Sequence, residues 1–341
     1  MNFIDINQKR YKNCKFTINE ELKFKELYEQ GWHISKIAKE FNMSLMGIHR
    51  ILLAHKTKIR SHGEGTRLLH EHIKVKSPKD FSYHLKTKFD KLLASFLLTD
   101  GHLNTKTKRV MLICTDNILQ RYFLTLIKER YNFFPTSKSF MFKGKETSVY
   151  SKEITEELLK LSPSYNTYPR NVSVEEYFKR SQPTLSFLNN EKEELLKEFI
   201  RIAMSCEGCV FPEFARDILY VQLQFACSHP KLVEEWQELF QKMGIKSFIL
   251  KSKVTWSRVK GLGIKELKSI KRFIEIGGFI EGVKITGKSK YFKGIEKNDL
   301  LKILFEMKIN NFRFVKNLTN EEKNKIILNS CKTNQNKKKF L

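Results

Sequence analysis

The chain has 341 residues, 41% hydrophobic and 12% aromatic, with 63 Lys+Arg against 37 Asp+Glu and a formal net charge of +26. That much apolar material excludes a disordered chain and is enough for two or three packed domains. The positive surplus calls for a polyanionic partner, and duplex DNA, with one negative charge per roughly 1.7 Å of axis, rewards it through counterion release. The surplus is spread along the chain rather than gathered on one amphipathic helix, which argues against a membrane surface. There is no apolar leader and no run of about 18 apolar residues, so the expected location is the cytoplasm or an organellar matrix, neither secreted nor membrane-bound. Six scattered Cys (14, 114, 206, 209, 227, 331) fit a reducing compartment. Cys206-x-x-Cys209 has no second pair to complete a zinc site, so packing is its expected role.

Residues 1–60 read as a small helical domain. Thr17-x-x-Glu20 is a capping-box pattern, followed by Phe24, Leu27 and Tyr28 at helical spacing and a stop at Gly31. Ile34, Ile37, Ala38 and Phe41 trace a second short helix. After a turn at Asn42-Met43, Ser44 can cap a third helix carrying Leu45, Ile48, Ile51 and Leu52. The run IAKEFNMSLMGIHRIL resembles a DNA-binding helix-turn-helix. In such a unit Ser44, Leu45, Met46, His49 and Arg50 would face the bases or phosphates. Residues 61–88 form a basic linker holding Gly63, Gly65 and Pro78, expected to lie along the DNA backbone. Seven of the nine His fall between positions 33 and 84, but no Cys or carboxylate set completes a metal site around His70-x-His72.

From residue 89 to 310 the chain echoes itself. LLASFLLTDGHL (Leu92–Leu103) and EFIRIAMSCEGCVF (Glu198–Phe211) are both apolar helices ending in an acid followed by Gly, with the acids 207 − 100 = 107 residues apart. Ile113-Cys-Thr-Asp-Asn then matches Ala226-Cys-Ser-His-Pro at an offset of 227 − 114 = 113. In each copy a strand-like run meets an expected N-cap, Thr115 or Ser228, and Leu119, Phe123, Leu126 and Ile127 align with Leu232, Trp236, Leu239 and Phe240. Later strands are expected at Thr147–Tyr150 and Val254–Val259, each followed by a helix. Tandem copies of one α+β unit normally pack about a pseudo-twofold axis.

These segments resemble the LAGLIDADG homing endonucleases in their single-chain, two-repeat form, some of which carry an accessory helix-turn-helix. The resemblance covers about 89–310 and includes Phe273-Ile-Glu-Ile-Gly-Gly-Phe279. It implies an α+β fold of two α-β-β-α-β-β-α repeats, at 89–188 and 189–310, forming a saddle of sheets over DNA, with 311–341 as a basic C-terminal tail. Two motif helices would cross at the repeat interface and present Asp100 and Glu207, which two close like charges and oxygen-only ligands suit to Mg²⁺, or Mn²⁺. Such ions can activate water and stabilise a departing 3′ oxygen. The resemblance also implies a basic residue near the metals, for which Lys152 and Lys260 are the expected pair. Alternating polar positions, among them Lys106, Lys108, Arg109, Arg216, Gln222 and Gln224, would meet the DNA. The packing expectation turns on Ile202, which stands where the family has a small residue, as Ser95 does in the first copy; Ala203 would then take the helix contact. The function implied is site-specific cleavage of a long duplex target by a monomer. The alternatives are a non-catalytic DNA-binding regulator on the same scaffold and an RNA-binding splicing maturase.

Overall fold

A computed structural model describes residues 16–60, 83–131, 146–286 and 289–338, and the chain divides into two compact units, Met1–Val75 and Lys76–Leu341. Most of the expected basic linker, with His70 and His72, falls outside the described residues. Among the described residues no helix is long and apolar enough to cross a membrane.

In the first unit, helices α1 (Ile18–Glu29), α2 (Ile34–Glu40) and α3 (Leu45–Ala54) close over Phe24, Ile37, Ile48 and Leu52, all fully buried. The expected caps are present. Thr17 and Glu20 satisfy each other's backbone amides, and Gly31 sits at φ 97° after α1. Asn42 takes the left-handed turn at φ 48°, and Ser44 Oγ accepts from the Gly47 amide at 3.0 Å. His55 Nε2 and Glu21 Oε2, 2.9 Å apart, tie α3 to α1. Arg60 folds back onto α1, donating to the carbonyls of Trp32 and Tyr28.

The second unit is α+β, with two antiparallel sheets and packed helices. Its first half runs α4 (Tyr83–Leu97), β1 (Gly101–Asn104), β2 (Arg109–Ile113), α5 (Asn117–Tyr131), β3 (Glu146–Tyr150) and α6 (Lys152–Leu161). After a short α7 (Val174–Lys179), the second half runs α8 (Glu193–Glu207), β4 (Gly208–Ala215), β5 (Ile218–Ala226), α9 (Pro230–Lys242), β6 (Phe248–Lys251), β7 (Val259–Ile264) and α10 (Leu267–Glu275). The sheet orders are β1-β2-β3 and β4-β5-β7-β6. Registers echo the sequence offsets: Gly101 pairs with Leu112 where Gly208 pairs with Phe225, and Ile113 with Glu146 where Ala226 pairs with Gly261.

Several boundaries differ from the sequence expectation. α4 begins at Tyr83, inside the expected linker. The late strand expected at 254–259 is instead the pair β6 and β7, with Val254 in the connecting turn at 95% exposure. The caps of α5 and α9 sit one residue later than expected. Asp116 Oδ1 accepts from the Ile118 and Leu119 amides, and His229 Nδ1 from the Leu232 amide, which keeps the 113-residue offset (229 − 116 = 113).

The expected tail from 311 is folded too: α11 (Lys297–Ile309) is followed by α12 (Asn320–Lys338), with Phe314, Ile327 and Cys331 buried. Thr319 and Glu322 form a capping box at the start of α12.

Because the two units have separate cores, Phe24→Ala, a loss of about 3–5 kcal/mol, is expected to unfold the first unit alone. Hydrogen exchange should lose protection over residues 18–54 while α4 and α8 keep theirs; equal loss in both would contradict separate cores.

Candidate active site

α4 and α8 pack against each other along their apolar faces. At the crossing, the Ser95 hydroxyl donates to the Phe199 carbonyl at 2.8 Å, and Ser95 is fully buried. The close approach therefore occurs at Ser95, while Ile202 and Ala203 are both fully buried in the core. From α5, Tyr122 OH donates to Glu198 on α8 at 2.6 Å, adding a polar tie between the halves.

α8 ends on its acid, Glu207, whereas α4 ends at Leu97 and Asp100 closes the three-residue turn that follows, so the expected helix-ending acid holds in the second copy only. Gly101 and Gly208 follow because the chain turns hard from helix into strand: a Cβ at Gly208 would lie 2.3 Å from the Met204 carbonyl oxygen, and one at Gly101 2.7 Å from that of Phe96. Asp100 and Glu207 are thus held at matched corners, half-buried, and feel each other's charge. Burial first, and then the Asp100 charge, push the Glu207 carboxyl up to about 7. Burial also raises Asp100, against the opposing pull of Lys297.

Lys297, on the first turn of α11, is a site residue that no sequence pattern marks. Its side chain is buried, and Nζ donates to the carbonyls of Ser205 and Gly208, both at 2.7 Å. It thereby satisfies two backbone acceptors at the end of α8 and sets a cation in the field of both acids. Burial pulls its own pKa down, and Asp100 is among the groups that oppose this.

Of the two expected lysines, Lys260 acts on the thiol of Cys209, two residues past Glu207. Lys152 is the first residue of α6, with a side chain 74% exposed and 3.7 Å from Glu156. Lys260 lies within β7, not after a strand, and its carbonyl accepts from the Cys227 amide. They do not occupy corresponding places: by register the counterpart of Lys260 is position 145, outside the described residues. Among the described residues, the cation that lowers both carboxyls is Lys297.

No protein-family model and no curated protein matches the chain. The solved structures it is similar to include variants of the homing endonuclease I-DmoI, at 15% identity, TM-score 0.36, covering 56% of this chain and 96% of that one. They also include I-SmaMI bound to uncleaved DNA with calcium ions, at 16% identity, TM-score 0.38, covering 72% and 98%. A third is full-length DUF199/WhiA from Thermatoga maritima, at 14% identity, TM-score 0.37, covering 76% and 92%.

The residues at the corners suit a hard divalent cation. Burial raises the thiols of Cys114, to about 11, and of Cys206, which disfavours thiolate and leaves carboxylate oxygen as the better anionic donor. Among the described residues no group of three or more His, Cys, Asp or Glu is placed to hold a metal. The protein offers two carboxylates, which is what Mg²⁺ takes when water and phosphate complete its shell.

The expected DNA-facing residues divide. Lys106 is exposed and Lys108 half-buried in the β1–β2 loop, and Arg216 is exposed at the β4–β5 tip. Lys108, just before β2, and Arg216, just after β4, both adopt left-handed backbone, at φ 52° and 53°. Arg109 is engaged by Glu146 and Ser148 on β3. Gln224 is half-buried, whereas Gln222, at 3% exposure, is closed off and does not present a contact surface. In the first unit Leu45 and Met46 are 55% and 60% exposed, Arg50 is exposed, His49 half-buried, and Ser44 is spent on the helix cap.

The raised Glu207 pKa has a checkable sign. The folded state holds its proton more tightly than the unfolded chain, so stability falls as pH rises from about 4.5 to about 7. Glu207→Gln is expected to remove part of that fall, raising the melting temperature at pH 8 relative to wild type by at least about 2 °C. Mg²⁺ should stabilise wild type more at pH 8 than at pH 5, and the variant little at either. A variant whose pH profile overlays the wild type would rule out the shift.

Proposed function

We propose that this protein is a site-specific, metal-dependent DNA endonuclease of the LAGLIDADG type, built from two tandem repeats and an N-terminal helix-turn-helix. The observation that carries the reading is the pair of acids. Two carboxylates 107 residues apart stand where a helix gives way to a strand, Glu207 on the last residue of α8 and Asp100 in the turn after α4, each followed by a glycine that the turn requires and by an antiparallel strand pair (207 − 100 = 107). Helix C-termini repel carboxylates, and burial raises the cost. A fold that places two there without protein ligands to neutralise both has a site for an external cation.

Asp100 and Glu207 would hold Mg²⁺ or Mn²⁺, which when bound supplies an activated water and stabilises the leaving 3′ oxygen. The chain's own part is to bring the carboxylates together through the Ser95–Phe199 contact and to fix the Glu207 corner through Lys297. The hairpins around them, with Lys106, Lys108 and Arg216, would track the phosphates, and the net charge of +26 supports that binding. The first unit supports a helix-turn-helix reading through its capped three-helix core and the exposed Leu45, Met46 and Arg50 on α3.

A second reading, a DNA-binding regulator without cleavage, is favoured by one observation: the buried Lys297 ammonium already offsets charge at the acids. Cleavage decides between them. Purified protein incubated with Mg²⁺ and a genomic or randomised duplex library, followed by sequencing of the new ends, should enrich one cleaved site. Asp100→Asn or Glu207→Gln should lower the cleavage rate by at least about 10³-fold, comparable to the loss of other electrostatic catalytic groups, with duplex affinity changed by less than tenfold. Specific binding without any cut site would favour the regulator. Removal of residues 1–60 should shorten the footprint and weaken binding; an unchanged footprint would refute the helix-turn-helix assignment.

A further inference from the structure

Among the described residues only two lysines are buried, Lys297 at 8% and Lys323 at 5% exposure, and both lie on the segment after α10. A buried ammonium is costly unless its donors are satisfied. Neither of these bonds to a carboxylate; both donate to backbone carbonyls at the two ends of one hairpin. Lys297 Nζ holds the Gly208 carbonyl where β4 leaves α8. Lys323 Nζ holds the Arg216 carbonyl at the β4–β5 tip, at 2.6 Å, with the Phe214 and Phe314 rings 5.6 and 5.9 Å away.

Backbone and ring contacts from the same segment also gather near the tip. Arg313 bridges Ile218 in antiparallel fashion, and the Phe314 amide donates to the Asp217 carbonyl at 3.2 Å. Phe314 stacks edge-on against Phe214 at 5.4 Å, and Lys308 lies over Tyr220 at 4.3 Å. The tip residue they secure, Arg216, sits at φ 53°, a left-handed backbone state uncommon for a residue with a side chain. The left-handed residue of the first hairpin, Lys108, is secured differently: its carbonyl accepts from the Ser151 amide at 2.9 Å.

We propose that Lys297 and Lys323 are positioning residues, and that through them α11 and α12 form a brace that presents the β4–β5 hairpin to DNA as a rigid ribbon with Arg216 at its end. The DNA part of this rests on the function proposed above; the brace does not. Lys323 orders the tip, and Lys297 joins the same segment to the corner that carries Glu207, so the brace couples the DNA-facing hairpin to the acid pair.

Hydrogen exchange on the intact chain without DNA tests the brace. In wild type the amides of residues 214–218 should open together with those of 327–331. Lys323→Met should speed exchange at 214–218 at least tenfold and leave 108–110 unchanged, and Lys323→Arg should stay within threefold of wild type. Unaltered tip exchange in a folded Lys323→Met protein would overturn the proposal. If that variant does not fold, wild type decides: tip amides exchanging more than tenfold faster than 327–331 would overturn it equally. Selection from a randomised duplex library reads the consequence. Lys323→Met should relax sequence preference over one half of the target only, and uniform loss across the site would count against positioning. Should wild type select no sequence at all, the DNA reading falls and the exchange result alone judges the brace.

Discussion

The crossing of α4 on α8 is the constraint from which the rest of the second unit follows. Ser95 is small enough, and polar enough, to let the helices meet at a hydrogen bond to the Phe199 carbonyl. Once they meet there, each helix delivers its last residues to one region, and the glycine that follows sends the chain directly into a strand. The strand registers then repeat because the corners repeat. Asp100 and Glu207 are where they are because they are the last side chains before those turns.

That arrangement is unfavourable on its own terms. Glu207 stands at the C-terminus of α8 and Asp100 in the turn after α4, both near the negative end of a macrodipole and half-buried, and the Asp100 charge acts on Glu207. Lys297 relieves part of this by taking two of the α8 end carbonyls and adding one positive charge. The Ile280 amide donates to Ser205 Oγ at 2.7 Å and the Lys284 amide to Asp116 Oδ2 at 3.3 Å, so the segment before α11 also spans both halves beside the acids. Electrostatic cost retained at one place, with structure built around to hold it, is what a site for a cation and a polyanion requires. The structure after α10 belongs to the site as much as to the core.

What could be read in the sequence was whatever left a local, repeated trace. The acid-Gly corners, the capping box at Thr17, the Ser44 cap and the apolar stripes of α5 and α9 were all legible, because spacing and residue type specify them directly. The caps at Asp116 and His229 were misplaced by one residue because Thr115 and Ser228 are themselves good cap residues. β7 was misread because Gly261 and Gly263 are poor strand formers. Gly261 is needed where a Cβ would meet the Phe225 carbonyl oxygen at 1.9 Å, and Gly263 lies under the Phe248 ring. The helix at 320–338 is so polar that its composition suggests a tail, although Thr319-x-x-Glu322 marks its start. Lys297 left no trace. It lies 297 − 207 = 90 residues beyond the acid it serves, one among 63 basic residues, and only the packing of α11 gives it a role.

The central claim is that Asp100 and Glu207 form one cation site. Anomalous scattering from crystals of the protein–duplex complex grown with Mn²⁺ tests it most directly, because it locates the ion without reference to activity. A peak within about 2.0–2.6 Å of oxygen atoms from both carboxylates is the result this account requires. Manganese bound elsewhere, with the two carboxylates contacting only protein and water, would contradict it.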